Sequence, residues 1–271
     1  MEGFVDVHSH AVPSGDDGAR STEEAVELCR LALAGGTRVL FATPHAHAAW
    51  DRYPLTLERE RLFEEAFPIV ARVVSGWGLN LRRGFEVFPT VLRDRDPHEF
   101  LLEGTRAVLL EFPGSWLAVE DDSSLVLEAA ERLVAAELVP VIAHPERSLG
   151  LRADFGIARA LVERGCLLCP NGDSALGDNG PVAEQAFWRL VDEGLVALVA
   201  SDGHSRHRPP RLDQANRLLV KRYGEASIEM LFDGSAIPWI GSSAEPAPSP
   251  GSVSRFRQIA TKAHLWCPVS L

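Results

Sequence analysis

Several absences narrow the possibilities before any residue is placed. The chain of 271 residues has four cysteines, too few for a disulfide scaffold at this size. It has no run approaching ~18 uninterrupted apolar residues, so no segment is expected to span a membrane. Basic charge is in deficit: 38 acidic against 27 basic residues leave a net charge of −11. Such a balance argues against a nucleic-acid or anionic-membrane surface, because neither attracts an acidic protein without a local basic patch. Lysine is nearly missing, with Lys221 and Lys262 the only examples. The opening residues show no charged start followed by an apolar run, so no secretion signal is expected and the expected location is the cytoplasm. Glycine-rich phosphate loops of the nucleotide-binding kinds are absent, as is the G-x-S-x-G of serine hydrolases. No cysteine is followed six residues later by an arginine, which excludes the thiolate-and-arginine loop of cysteine phosphatases.

What is present is a repeating alternation. Short runs rich in Val and Leu predict strands at Phe4–Val7, Arg38–Ala42, Leu81–Val87, Ala107–Leu110, Val139–Ala143, Leu167–Pro170 and Leu195–Ala200. Continuous apolar strands of this kind suit a parallel sheet covered on both faces. Amphipathic helices separate them. The first opens at Ser21 with Glu24 three residues on, a capping box, and stops at Gly35-Gly36. Another places Ala183, Ala186, Phe187, Leu190 and Val191 on one face before Gly194. Similar patterns cover 56–75, 123–137, 154–164 and 210–232. About seven β-α units imply a parallel α/β fold, and they close most simply as a TIM-like barrel in a single domain over 1–240. The remainder, 241–271, reads as a Pro/Ser-rich linker with a disordered or loosely docked tail.

The residues that end each strand carry the chemistry. His8 and His10, then Asp16 and Asp17, follow the first strand, and His45 and His47 follow the second. Glu86, Glu111, His144 and Asn171 end the next four, and Asp202 and His204 follow the last. In parallel barrels the C-terminal strand ends share one mouth, where catalytic residues collect. Imidazole and carboxylate without thiolate favour Mn²⁺, Fe or Zn²⁺. About nine such ligands exceed the needs of one ion and suit two or three bridged by a carboxylate. Each residue alone has a plainer reading: a lone His after a strand is usually a loop hydrogen-bonder, and Asp-Asp-Gly alone is turn chemistry. Their coincidence at successive strand ends favours a metal cluster. His47 and His207 could line the mouth without touching metal, and His98 and His264 read as surface residues. Cys166 and Cys169 lie along a predicted strand, so their thiols should face opposite sides and pack rather than react.

These residues resemble the PHP (polymerase and histidinol phosphatase) superfamily, most closely its bacterial manganese-dependent protein-tyrosine phosphatases of the CpsB/YwqE type. The shared strings are D-V-H-S-H (6–10), D-D-G (16–18), A-T-P-H (42–45), G-x-E (84–86), L-E-F (110–112), I-A-H-P-E-R (142–147), A-S-D-x-H (200–204), R-P-P (208–210) and K-R-Y-G-E-A (221–226). The resemblance runs from Met1 to about Phe232. It implies a distorted (β/α)7 barrel of the PHP fold with three metal ions, Mn²⁺ foremost and Fe or Zn as alternatives. By position, His8, His10, Glu86 and Asp202 would hold one ion. Glu86 would bridge to a second with Glu111 and His144, and Asp17, His45 and His204 would hold the third. Arg147 would bind phosphate, and so would the arginine before Pro-Pro, Arg208, with Arg206 as the alternative. The implied reaction is hydrolysis of a phosphotyrosine protein by a metal-activated hydroxide. The implied partner is a bacterial tyrosine autokinase of capsule or exopolysaccharide synthesis. The family's C-terminal Asn-Pro segment is missing at 233–238, which leaves oligomeric state open. Three rival readings remain: a related phosphatase acting on a small molecule such as histidinol phosphate, an amidohydrolase-type metal hydrolase, and a non-catalytic module that keeps the fold and binds a partner. The second rival commonly needs a carbamylated lysine inside the barrel, and neither lysine lies near a predicted strand end.

Overall fold

The structure is a computed structural model that describes residues 3–48, 52–113 and 122–241. The tail read as linker and docked segment, with His264, lies outside the described residues beyond Gly241.

Strands β1 (Phe4–Asp6), β2 (Thr37–Ala42), β3 (His45–Ala46), β4 (Asn80–Arg83), β5 (Glu86–Val87), β6 (Ala107–Glu111), β7 (Val139–Ala143) and β8 (Leu167–Cys169) are all parallel. They form the orders β1-β2-β4 and β3-β5-β6-β7-β8. The two sheets are one ring, interrupted twice. β3 continues β2 and β5 continues β4 across short breaks, where Gly84 N donates to Ala42 O (3.0 Å) and Glu86 N to Pro44 O (3.1 Å). The predicted strand Leu195–Ala200 differs from expectation: it makes isolated parallel bridges, Leu168↔Val196 and Asn171↔Ala200, instead of a continuous ladder. It bends to reach both neighbours. Asp202 N donates to His8 O (2.9 Å) and His10 N to Gly203 O (2.8 Å), which closes the ring of seven segments.

Helices cover the outside. In α1 (Thr22–Ala34), Ser21 caps the start by accepting from Glu24 N, as the capping box predicts. The Glu24 carboxylate in turn accepts from Arg20 N (3.0 Å). The elements α2 (Leu57–Ser75), α3 (Asp122–Ala135), α4 (Leu149–Ala153), α5 (Gly156–Glu163), α6 (Gly172–Ala175), α7 (Pro181–Asp192), α8 (Asp213–Tyr223) and α9 (Glu225–Ile228) complete the set. The single helix expected over 210–232 is split, because Gly224 takes φ 84° between α8 and α9, outside helical geometry.

Period-two alternation explains what faces inward. Ala107 and Leu109 of β6 join Val141, Ala143 and Cys169 in the barrel interior, whereas Val108, Leu110 and Ile142 pack against the outer helices. Glu111 continues the inward row, so its carboxylate emerges at the mouth. The thiols of Cys166 and Cys169 belong to these two different clusters, one outside and one inside the barrel. At the opposite end Ile237 and Trp239 pack on the interior cluster, so the segment lacking the Asn-Pro pattern plugs the floor.

Candidate metal and phosphate site

The loops after β1 bring the first ligands into place. His10 Nδ1 lies 2.8 Å from Asp16 Oδ2, which turns Nε2 toward the barrel axis. A carboxylate behind an imidazole fixes its tautomer and raises its basicity, as behind metal-binding histidines. The glycine of D-D-G is required by crowding: a Cβ at Gly18 would stand 2.2 Å from His10 O. A second glycine, Gly203, lies against Pro210, where a Cβ would meet Pro210 Cα at 2.4 Å. That contact seats the R-P-P turn beside Asp202.

All nine proposed ligands converge. Their donor atoms fall into groups in which every pair lies within 4.8 Å: His8, His10, Glu86 and Asp202; Glu86, Glu111 and His144; and His10, Asp17, His45 and His204. Glu86 stands at the centre. Its Oε2 lies 3.2 Å from His8 Nε2, 3.3 Å from His10 Nε2 and 2.9 Å from His45 Nδ1. Its Oε1 lies 2.7 Å from His144 Nε2. Glu86 Oε2, Glu111 Oε2 and Asp202 Oδ1 are buried and accept no hydrogen bond, yet imidazole nitrogens face each of them. Buried carboxylate oxygens are normally satisfied. Oxygens and ring nitrogens turned toward common points are what divalent cations require, so this donor set fits metal ions.

A fourth group adds His47, whose Nε2 lies 2.9 Å from Glu111 Oε2 and 3.2 Å from His45 Nδ1. Sequence pattern alone left His47 as a lining residue; the His-x-His spacing was its only signal. Asp16 and Asn171 were visible at strand ends without roles, and the geometry gives each one. Asp16 backs His10, and Asn171 Nδ2 donates to Asp202 Oδ2 at 2.9 Å. His98 is exposed beside Asp96, and His207 is exposed on the turn after His204, so neither joins the cluster.

Electrostatics follow burial and proximity. Burial opposes charge on His45, but Glu86 and Asp17 outweigh it and raise the ring's pKa to about 10. Burial likewise opposes charge on His10, and Asp16, Asp202 and Glu86 hold it well above the usual histidine range. Burial also works against the charge on Asp202, while Arg208, His8 and His204 hold its carboxyl well below the usual range.

The H-P-E-R turn after β7 distributes its residues to three tasks. His144 takes a left-handed φ of 33° and aims at Glu86. Glu146 turns inward, accepting from Ser174 Oγ (2.6 Å) and Asn171 N (3.1 Å). Arg147 donates to Asp202 Oδ2 at 2.9 Å. Arg208 reaches the same oxygen. Arg206 instead sits exposed, with its charge near Glu27. Among the described residues, the only non-glycine positive-φ positions are Glu137, His144 and Asp202, so two of three are proposed ligands. Strained backbone of this kind persists where surroundings fix it and clusters at functional sites. A cavity of about 210 Å³ opens over the cluster, walled by Arg147, Arg208, Arg52 and Tyr53 among others.

Fold and site together define a parallel β/α barrel with a candidate polynuclear metal centre and a guanidinium pair at its mouth. Comparison with known proteins narrows this. The sequence model of the family described as "Capsular polysaccharide synthesis, CpsB/CapC" matches residues 4–238, and the chain belongs to that family. It is 28% identical over 247 residues to the tyrosine-protein phosphatase YwqE of Bacillus subtilis, covering 86% of this chain and 91% of YwqE. A solved structure from work on YwqE and Streptococcus pneumoniae CpsB, described as metal-dependent tyrosine phosphatases, superposes with a TM-score of 0.68. That match is 27% identical and covers 84% of this chain and 94% of the other. A histidinol phosphate phosphatase from Lactococcus lactis shares the fold, with a TM-score of 0.50, 16% identity, and coverage of 81% of this chain and 93% of the other.

Proposed function

We propose that this protein is a metal-dependent phosphomonoesterase that hydrolyses phosphotyrosine in protein. One observation carries the reading: the guanidinium groups of Arg147 and Arg208 meet on Asp202, whose other oxygen faces the imidazoles of the cluster. A phosphate entering the mouth is thus met by two fixed cations on the same side as the metal ligands. Guanidinium forks match phosphate oxygens in geometry and charge. Asp202 Oδ2 keeps both guanidinium groups oriented before substrate arrives, so little reorganisation is required of them.

The ion assignment is the one the family resemblance implies: His8, His10, Glu86 and Asp202; Glu86, Glu111 and His144; Asp17, His45 and His204. The proposed complement is three Mn²⁺ ions. When bound, such ions lower the pKa of coordinated water and offset phosphate charge. The protein's own part is to hold Glu86 where it faces several imidazoles at once, to back His10 with Asp16, and to exclude bulk water from the deepest group. A phenol, with a pKa of about 10, departs more readily than an alkoxide, so a tyrosyl ester needs less acid assistance than an alkyl one. The proposed substrate is a tyrosine autokinase of capsule or exopolysaccharide synthesis, met in the cytoplasm. Among the described residues no helix is long and apolar enough to cross a membrane.

The test compares Mn²⁺-dependent hydrolysis of a phosphotyrosyl peptide, a phosphoseryl peptide and histidinol phosphate. The reading predicts a kcat/KM highest for the phosphotyrosyl peptide. Preference for histidinol phosphate would overturn it.

A further inference from the structure

The three proposed ion sites differ in how they are held. His8, Glu86 and Asp202 have side chains at most 2% exposed. In the outermost group, by contrast, Asp17 is 41% exposed and His45 and His204 are each 11% exposed. Asp17 stands on the loop between β1 and α1, outside any strand. Its place depends on what fixes that loop.

Asp16 holds part of it, accepting from His45 N (3.2 Å) and Gly18 N (3.0 Å), and Arg59, in the first turn of α2, ties it to its neighbours. Its Nε donates to Ser14 O (2.9 Å) and its Nη2 to His45 O (3.0 Å). Its Nη1 donates to Tyr53 O (2.6 Å) and Pro54 O (3.1 Å). One guanidinium therefore ties together three segments: the loop leading to Asp16 and Asp17, the start of β3 at His45, and the stretch before α2 at Tyr53 and Pro54. Among the described residues it makes no ion pair with a carboxylate, and burial lowers its pKa. Its direct hydrogen-bond partners are carbonyls, with Asp16 and Asp17 favouring the charge from further off, and a flat fork of five donors is the group that can serve several carbonyls at once. Tyr53 completes the clamp. Its ring lies parallel to that of His45, 4° apart in plane with centroids at 5.1 Å, and Asp17 lies beside its hydroxyl.

We propose that Arg59 and Tyr53 are positioning residues for the outermost ion, acting through Asp17 and His45. The inference rests on the three-ion reading above. Neither residue supplies a metal ligand. Together they set the spacing of Asp17, which no strand holds, from His45, which opens β3. Removing either should release one ion and leave the two buried ones in place. Residues that orient ligands without touching metal typically change metal affinity by about 10–100-fold.

The experiment counts ions. Mn²⁺ per chain is measured by elemental analysis after desalting, and stepwise affinities by calorimetry, for the parent, R59M, R59K, Y53L and Y53F. Thermal melting is recorded alongside. The parent should hold three ions. R59M and Y53L should keep two at parental affinity and bind the third at least about tenfold more weakly. R59K should resemble R59M, since an ammonium cannot span the carbonyls, and Y53F, which keeps the stacked ring, should recover most of the third site. Three ions at parental affinity in Y53L, or loss of all ions together in both R59M and Y53L, would overturn the proposal. Should R59M fail to fold, Y53L decides, since it removes no main-chain anchor. A parent that binds fewer than three ions would instead overturn the three-ion reading, and this inference with it.

Discussion

Asp202 and Arg147 join the two halves of the site through one carboxylate. Arg147 Nη1 donates to Asp202 Oδ2 at 2.9 Å, while Asp202 Oδ1 lies 3.2 Å from His8 Nε2. Arg208 and Asn171 donate to the same outer oxygen. In the proposed assignment metal binding and phosphate binding therefore share a residue, and single substitutions should separate or collapse the two functions predictably.

Removal of Arg147 should affect phosphate and spare metal. Arg147→Ala should keep its full ion complement and lose about 10²–10³-fold in kcat/KM, the scale for removing one donor to developing charge. Inhibition by inorganic phosphate should weaken in parallel. Elemental analysis and steady-state kinetics check both. Unchanged hydrolysis of a phosphotyrosyl peptide would contradict the role.

Substitution of a shared ligand should damage everything at once. His8→Ala and Asp202→Ala should lower bound metal and abolish activity. Asp202→Ala should also loosen both arginines, so its phosphate affinity should fall further than that of His8→Ala. Calorimetric titration with inorganic phosphate distinguishes them.

Metal loading should displace protons. Asp16 and Asp202 hold the pKa of His10 well above the usual histidine range and Glu86 raises that of His45 to about 10, so both rings favour the charged form at neutral pH before an ion enters. An imidazole must be neutral to ligate. Apparent Mn²⁺ affinity should therefore rise with pH and fall on acidification, by about tenfold per pH unit for each proton displaced. Titrations in buffers of different ionisation enthalpy count those protons. Affinity independent of pH between 6 and 8 would contradict this.

The D-D-G glycine should be intolerant of a side chain. Gly18→Ala places a carbon 2.2 Å from His10 O, so the loop must shift. Overpacking of this kind costs about 1–3 kcal/mol. The expected result is a lower Tm together with weaker metal binding, because the displaced residue is a ligand. A parental Tm and ion count would refute the crowding argument.

Most of the architecture was legible because parallel strands covered on both faces read as continuous apolar runs. The run Ala107–Leu110 read as a strand ended by Glu111, and β6 spans Ala107–Glu111. Legibility failed where the chain departs from regular pairing. The segment Leu195–Ala200 looks like its neighbours, but it must curve from β8 to the residues after β1, and so keeps only single bridges. The helix over 210–232 hid its break, because Gly224 alone carries the signal. The site shows the same division. Candidate ligands at strand ends stood out by position, whereas Arg59 lies in an ordinary charged first turn of α2 with no spacing that ties it to Ser14 or His45. Contacts between a side chain and distant carbonyls leave no periodic trace in sequence.

The central claim is that side chains from all around the barrel converge on bound metal. Anomalous diffraction from crystals grown with Mn²⁺ tests it most directly. The account predicts three anomalous peaks: one among His8, His10, Glu86 and Asp202, one among Glu86, Glu111 and His144, and one among Asp17, His45 and His204. A well-ordered crystal with no peak among these residues would contradict it.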